Sequence, residues 1–557
     1  MAAVILAVSG GFRTTVGGLR ISARSPLPVA LLAVLNFMVW LAQARRAQSI
    51  GTDLEFIWDA MQKNASSIVV SIAIAIAIIA AMFSTRSAAG ADASGYLSEA
   101  ATMTRGRLFY ADELADLARG QDPYLTSPLG WRPSPAPGRQ SPTYPPGLPM
   151  LMAIPHAIAG VTGATAVVIV SAAIIVIATG LIAMRLSGGI AAILAATLIG
   201  FAPITLYQSI QPMSDVPVTA AWMLCFLLAR RDRSSDPPSG IASGLVCALA
   251  VLIRPNLAPL AIVPLFAARN RIVFAMPVAF AGIALAVLQW LWYGSPIRSG
   301  YGSAEELFAL ANVGGNVSRY FTWLITTSPL LLLAVIGFWR VRGDRTARAL
   351  GTFAVLVVAA YLAYAAFDDW SYLRFLLPAL AVFAIFTAIE LAGRIDRARI
   401  AVRPALTFAM VLAIVAAGIS IARSKDTFRL AAQLKRVEQV ADFVRDHVEP
   451  NAVIVAGEQS GSMRYYTAKP ILRWEAASPE AMGLAVRELS LSARPIYFVL
   501  DAWEESLFRA KYAFTPGEAL DWPPVLDAGT SNRTRVWRLS DRERFHRGEK
   551  LSTVRLP

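Results

Sequence analysis

Four ionisable residues stand at or near the ends of long apolar runs. They are Asp92 in Ala91-Asp92-Ala93-Ser94-Gly95-Tyr96, Asp215 in Ser214-Asp215-Val216-Pro217, Arg254 in Arg254-Pro255, and Arg374 in Arg374-Phe375-Leu376-Leu377-Pro378. Charge at a lipid–water boundary is costly, so such groups are functional candidates by default. Arginine suits bidentate contacts with a lipid-borne phosphate. A carboxylate beside it can take the proton of an acceptor hydroxyl or amine. A phosphate held by arginine departs as an anion without an acid to protonate it, unlike the leaving oxygen in glycosidases, where one of two carboxyls is an acid. Each residue also has a structural reading. Asp215, with Pro217 after it, can cap a helix. Arg254 and Arg374 can snorkel at span ends, and Asp92 can lie in a solvated loop. Their placement on one side of the membrane favours a shared site.

The elements that position them belong to a membrane protein. The chain has 557 residues, 56% of them hydrophobic, and a mean hydropathy of +0.53, outside the range of soluble proteins. Many segments of about 16–22 residues are nearly free of charge, as a hydrocarbon core of ~30 Å selects. Spans are expected near 66–83, 163–184, 189–206, 216–229, 239–253, 256–268, 272–293, 323–338, 349–367, 375–392 and 404–422, with a further apolar stretch at 27–42. This gives a polytopic α-helical protein of about 11–12 spans.

Charge bias sets the sidedness. One set of loops carries Arg230, Arg231 and Arg233, then Arg269 and Arg271, then Arg340, Arg342, Arg345 and Arg348, then Arg394, Arg397, Arg399 and Arg403. The alternate loops hold Arg254, Arg298, Arg319 and Arg374. The positive-inside rule makes the first set cytoplasmic. The loop 84–162, the loop with Asp215 and the tail from about 423 then face outward. Surplus arginine and heavy alanine use fit a GC-rich bacterium, so the expected location is the bacterial inner membrane with its site facing the periplasm. The net charge of +14 falls in these orientation clusters rather than in basic-aromatic patches, which argues against a nucleic-acid partner.

Cys225 and Cys247 lie in apolar segments, and His156, His447 and His546 show no ligand spacing. No disulfide framework, metal site or cofactor is expected. Residues 1–65 fit the pattern less well. The 27–42 stretch reads as an extra span, a signal-like segment or a misassigned start, with Met61 an alternative first residue.

Two outward pieces are too long to be connectors. In 84–162, Ser98–Leu117 reads as helix, and 123–146, with eight prolines from Pro123 to Pro146, reads as irregular. Residues 147–158 read as a helix lying in the interface. In the tail, 423–557, the helices Leu430–His447 and Pro479–Leu491 alternate with strand-like runs at 452–456 and 495–500. That implies a small extracytoplasmic α/β domain with a mostly parallel sheet. The turn Gly457-Glu458-Gln459-Ser460-Gly461-Ser462 follows a strand, where α/β sheets often bind ligands. Its spacing is not a dinucleotide fingerprint, and a plain strand-end turn is the simpler reading.

Five stretches, in order over roughly 66–392, resemble the GT-C superfamily of membrane glycosyltransferases, specifically the bacterial family 39 type, related to protein O-mannosyltransferases and lipid A aminoarabinose transferases. Asp92-Ala93-Ser94-Gly95-Tyr96, followed by Leu97 to Tyr110, looks like the family's first outward loop. Tyr144-Pro145-Pro146-Gly147 looks like its Pro-Pro element, Ser214-Asp215-Val216-Pro217 is similar to its second acidic motif, and Arg254-Pro255 sits where a basic residue follows a span. Arg374-Phe375-Leu376-Leu377-Pro378 resembles its Arg-Tyr-Leu-Leu-Pro signature. The resemblance implies an inverting hexosyl or pentosyl transfer from a polyprenyl-phosphate sugar to a glycan, lipid or protein acceptor. Asp92 would be the base and Asp215 a second acidic group. Arg254 and Arg374 would bind the donor phosphate, and Tyr96, Tyr144, Pro145 and Pro146 would shape the pocket. The family often has Asp-Glu where this chain has Asp92-Ala93, so the acceptor does not carry over.

Three other readings compete. A surface-polysaccharide ligase or polymerase would share the arginine–phosphate logic. A transporter would show mid-span charges and inverted repeats, which the sequence lacks. A scaffold or sensor would use the tail as a binding module.

Overall fold

Backbone polar groups in a membrane must be satisfied within the chain, which makes apolar runs helical. All eleven expected spans are largely helical in the computed structural model, the main departures being 201–202, 328 and 363–367; the structure describes residues 12–16, 19–23, 50–118, 122–229, 238–512, 520–530 and 532–556. The 27–42 stretch and the Arg230–Arg233 cluster lie outside the described residues. The helix Ile50–Lys63 packs Trp58 beneath Arg403.

The spans differ in length more than their composition suggests. Among the described residues six helices are long and apolar enough to cross alone, and two bent pairs raise the number to eight. Those pairs are Gly189–Gly200 with Pro203–Ser209, bent by 61°, and Asn312–Thr327 with Pro329–Val341, bent by 112°. Three apolar helices are shorter: Asp215–Ala229, Gly240–Ile253 and Pro255–Ala267. Three of the breaks fall where prolines remove N–H donors: Pro203, Pro255 and Pro329 each start the piece after a break. At the centre, Leu377–Ile395 is buried almost throughout and packs on Gly189–Gly200, Gly147–Ser187, Ala334–Val341 and Arg345–Leu362. Arg271–Tyr293 instead exposes Ile272, Met276, Phe280, Ile283 and Val287, as a lipid-facing helix does.

The first large loop corrects two expectations. Its helix runs Gly90–Met103, not Ser98–Leu117, so Asp92 lies in its first turn; Thr104 to Gly106 turn out of it. The proline-rich part is not wholly irregular. Trp131–Pro133 and Tyr110–Ala111 flank Arg139–Pro142 in a three-stranded antiparallel sheet, with Pro133 and Pro142 at strand ends, where a missing donor is tolerated. The expected helix at 147–158 is the first part of Gly147–Ser187, broken at Ala159–Gly160.

The tail forms a six-stranded sheet in the order Val554–Leu556, Leu526–Ala528, Thr534–Arg538, Ile496–Asp501, Val453–Ala456, Ile471–Arg473. The expected strands pair in parallel, Val453 opposite Ile496, and Ile471–Arg473 adds a third parallel strand. The sheet as a whole is mostly parallel, as expected: five of its six strands run in one direction, and Thr534–Arg538, paired between Leu526–Ala528 and Ile496–Asp501, is the one reversed strand. The helices Leu430–His447 and Pro479–Leu491 occupy the expected ranges.

Candidate active site

Local sequence fixes where each charged side chain starts. Asp92 lies in the first turn of its helix and Asp215 opens Asp215–Ala229, so both carboxylates sit at the positive end of a helix dipole. Arg254 is the extended residue between Pro238–Ile253 and the 3-10 turn Pro255–Ala261. Proline at the next position disfavours helical backbone there. Arg374 belongs to a second 3-10 turn, Trp370–Leu376, capped by Asp369, which accepts from the Ser371 N–H at 2.8 Å.

These segments, distant in sequence, join at one end of the bundle. Arg254 donates to Asp215 at 2.7 Å and to the Ser214 hydroxyl at 3.0 Å. Arg374 donates to Asp92 at 2.9 Å and lies 4.0 Å from the second Asp215 oxygen. The result is one alternating row, Arg254–Asp215–Arg374–Asp92. Arg374 Nε is buried and donates to no partner. An unsatisfied buried guanidinium donor costs free energy unless an anion completes it.

Aromatic rings hold the row. Phe375 stacks on Tyr361 with centroids 5.1 Å apart and planes 8° apart, and both arginines lie over Phe375. The Tyr361 hydroxyl accepts from Asn256 at 3.1 Å and from Arg254 at 3.4 Å. On the other side the Tyr96 and Tyr144 rings are 4.7 Å apart, and the Tyr144 hydroxyl bonds Asp92. Burial pushes the Tyr96 hydroxyl well above its ordinary pKa, keeping it a donor beside Ser214. Gly95 permits this contact, because a Cβ there would lie 2.2 Å from the Tyr144 ring.

All eight residues singled out in the sequence, Asp92, Tyr96, Tyr144, Pro145, Pro146, Asp215, Arg254 and Arg374, line one cavity of about 1180 Å³. Gly282, Leu285, Ala286 and Gln289 of the exposed helix Arg271–Tyr293 also line it. Among the described residues no group of three or more His, Cys, Asp or Glu could hold a metal ion.

Several wall residues escaped the sequence reading. Asn256, Tyr361 and Tyr364 carry no motif, being single polar residues in apolar surroundings, and Tyr301 lies in the Gly/Ser-rich stretch 299–303 of a loop. Glu458 carried a signal: it lies in the turn after the strand Val453–Ala456, yet it belongs to the tail and lines the same cavity as Asp92. Burial, with Glu475 nearby, pushes its carboxyl up to about 7. Its loop is bound to the Asp92 segment. Ser462 donates to the Ala88 carbonyl at 2.6 Å, the Ala88 N–H donates to Tyr466 at 2.8 Å, and the Leu129 N–H donates to Ser460 at 3.1 Å.

No protein-family profile and no curated protein sequence matches the chain. Solved structures do. ArnT from Cupriavidus metallidurans in the apo state is similar over 84% of this chain and 97% of its own, with 13% identity and a TM-score of 0.52. ArnT from Cupriavidus metallidurans bound to undecaprenyl phosphate gives 84%, 98%, 14% and 0.51. The archaeal oligosaccharyltransferase AglB from Archaeoglobus fulgidus, in complex with an inhibitory peptide and a dolichol-phosphate, covers 81% of this chain and 71% of its own at 13% identity and a TM-score of 0.49. The chain shares its fold with ArnT over nearly all of that protein's length.

Proposed function

We propose that this polytopic membrane protein of the GT-C fold is an inverting glycosyltransferase that moves a hexosyl or pentosyl unit from a polyprenyl-phosphate donor to an extracytoplasmic acceptor. The observation that carries this reading is the row Arg254–Asp215–Arg374–Asp92 on one cavity wall, with a buried Arg374 donor left over. The undecaprenyl phosphate bound to ArnT, whose fold this chain shares, supports the same donor class.

Arg254 and Arg374 grip the donor phosphate and stabilise the charge that develops as it leaves. Asp215 sits between the two guanidiniums, bonded to Arg254 and 4.0 Å from Arg374, and offsets their mutual repulsion. Asp92, in contact with Tyr144 and more exposed than Asp215, meets the nucleophilic hydroxyl or amine of a glycan, lipid or protein acceptor. Tyr96, Tyr144, Pro145 and Pro146 shape the sugar pocket. The arginine clusters fall in the other set of loops, which by the positive-inside rule supports a site on the periplasmic side of a bacterial inner membrane.

Purified protein in lipid nanodiscs, offered a panel of polyprenyl-phosphate hexoses and pentoses, is expected to release polyprenyl phosphate. Arg254→Ala and Asp92→Asn are expected to abolish release. Release that persists at the wild-type rate in both variants removes the reading.

A further inference from the structure

Asp92 spends a carboxylate oxygen on Arg374, and Asp215 spends one on Arg254. A third carboxylate reaches the same cavity from a separate part of the chain. Glu458 lines the wall with Asp92, and its Oε1 comes within 3.7 Å of where a Cβ on Gly90 would stand, two residues before Asp92. Among the described residues its carboxylate has neither a hydrogen bond nor an ion pair. Its backbone N–H does the anchoring, donating to Glu504 at 3.0 Å.

We propose that Glu458, supplied by the C-terminal domain, is the proton acceptor of the transfer, while Asp92 aligns the nucleophile. This deepens the glycosyltransferase reading and rests on it. In the step, the acceptor oxygen or nitrogen bonds to the anomeric carbon as the bond from that carbon to the phosphate oxygen breaks. Its proton passes to a Glu458 oxygen, and the phosphate leaves as an anion held by Arg254 and Arg374. The Glu458 carboxyl then returns the proton to water at the cavity mouth.

The surroundings suit a carboxylate that exchanges protons at neutral pH. Facing it are Glu475 beyond the strand Ile471–Arg473, Asp501 at the end of Ile496–Asp501, Glu504 of the helix Ala502–Tyr512, Asp92, and the Tyr372 hydroxyl. Arg473 and Lys511 act on Glu475. Partial burial among acids lifts its carboxyl to about 7, where a general base is most effective. The loop is also rigidly placed, since the Ser462, Tyr466 and Ser460 bonds tie it to the segment that carries Asp92.

Three measurements on the full chain in nanodiscs test this. Infrared difference titration, wild type against Glu458→Gln, is expected to show a carboxyl losing its proton near pH 7. A carboxyl titrating near the ordinary ~4.3 overturns the proposal. With a polyprenyl-phosphate sugar as donor, Glu458→Gln is expected to lower release of polyprenyl phosphate by about 10²–10⁴-fold and to remove the acidic limb of the pH profile, with Glu458→Asp retaining part of both. A Glu458→Gln rate within about threefold of wild type overturns it, being far below a general base's contribution. Polyprenyl phosphate binding separates the two readings: Arg374→Ala is expected to weaken it and Glu458→Gln to leave it unchanged. Failure of wild type to bind sinks the donor reading, while the infrared titration still reports on Glu458.

Discussion

Arg254 donates to the Asp215 carboxylate at 2.7 Å, with the two side chains 11% and 2% exposed. Removing one member of a buried pair strands the other charge in a poor solvent, at a cost of about 3–5 kcal/mol. Asp215→Ala and Arg254→Ala are each expected to lower stability by that order. The double variant should lose less than the sum, with a coupling of about 0.5–3 kcal/mol. Arg254→Lys keeps the charge but not the fork that sends Nη2 to Asp215 and Ser214 and Nη1 to Tyr361, so it should fold better than the alanine variant yet bind polyprenyl phosphate poorly. Thermal unfolding in detergent and phosphate-lipid binding check both halves.

Gly95 and Tyr144 make a second exacting contact. A Cβ on Gly95 would stand 2.2 Å and 2.4 Å from two ring carbons of Tyr144. Gly95→Ala must therefore push the ring off its place beside Asp92, at an overpacking cost of about 1–3 kcal/mol. Transfer should fall more steeply than stability, because the displaced hydroxyl is the one bonded to Asp92. Adding Tyr144→Leu should recover part of the melting temperature, the Gly130 Cα at 3.0 Å remaining a close contact, but not the transfer rate.

The sequence made the charged row legible because ionisable residues beside apolar runs are rare and each sits at a proline or a span end. Asp215 before Pro217, Arg254 before Pro255 and Arg374 before Pro378 are all local signals. Span parity then put all four on one side. The bends were less visible: Pro329 gives no hint that its break turns the chain by 112°, since that angle depends on what the two halves pack against. The short strands at 471–473, 526–528, 534–538 and 554–556 have too few residues to show a two-residue period. Glu458 was hidden for another reason. Its turn follows a strand of the tail, and only docking of that domain brings it to Asp92.

Stability should depend on pH through the acids of the C-terminal domain. Burial raises Glu458 and Glu504 from an ordinary 4.5 to about 7. A carboxyl with a raised native pKa keeps its proton longer in the folded state than in the unfolded one. The folded state therefore binds more protons between about pH 4.5 and 7, and stability falls as pH rises through that window. For Glu458 the ceiling is about 3.4 kcal/mol, from roughly 1.4 kcal/mol per unit; solvent screening at a half-buried site reduces it to about 1–2 kcal/mol. The melting temperature is expected to drop from pH 5 to pH 8. Glu458→Gln should flatten that slope and unfold at a higher temperature than wild type at pH 8, while transferring sugar poorly. A slope unchanged by the substitution would remove Glu458 as its source.

Docking of the C-terminal domain should be required for transfer but not for folding of the bundle. Gly461 packs against the Asp92 helix so closely that a Cβ would meet Ser94 Oγ at 2.3 Å and the Leu129 carbonyl at 2.7 Å. Around it lie the Ser462–Ala88 and Tyr466–Ala88 hydrogen bonds and the approach of His156 to Tyr465 at 2.7 Å. These contacts are polar, and the domain's core around Val453, Phe498, Phe508 and Trp537 takes in Leu114, Leu117 and Leu125 of the outward loop rather than the Asp92 helix. Gly461→Val should therefore wedge the loop off the helix while both parts stay folded. Hydrogen exchange is expected to rise in 84–100 and 457–467 without rising in the strand 496–501. Polyprenyl phosphate should still bind, because Arg254 and Arg374 belong to the bundle, and sugar release should fall by about 10²-fold as a displaced base predicts. Equal losses of binding and release would mean that the wedge reaches the arginine row, and the division of labour between bundle and domain would fail.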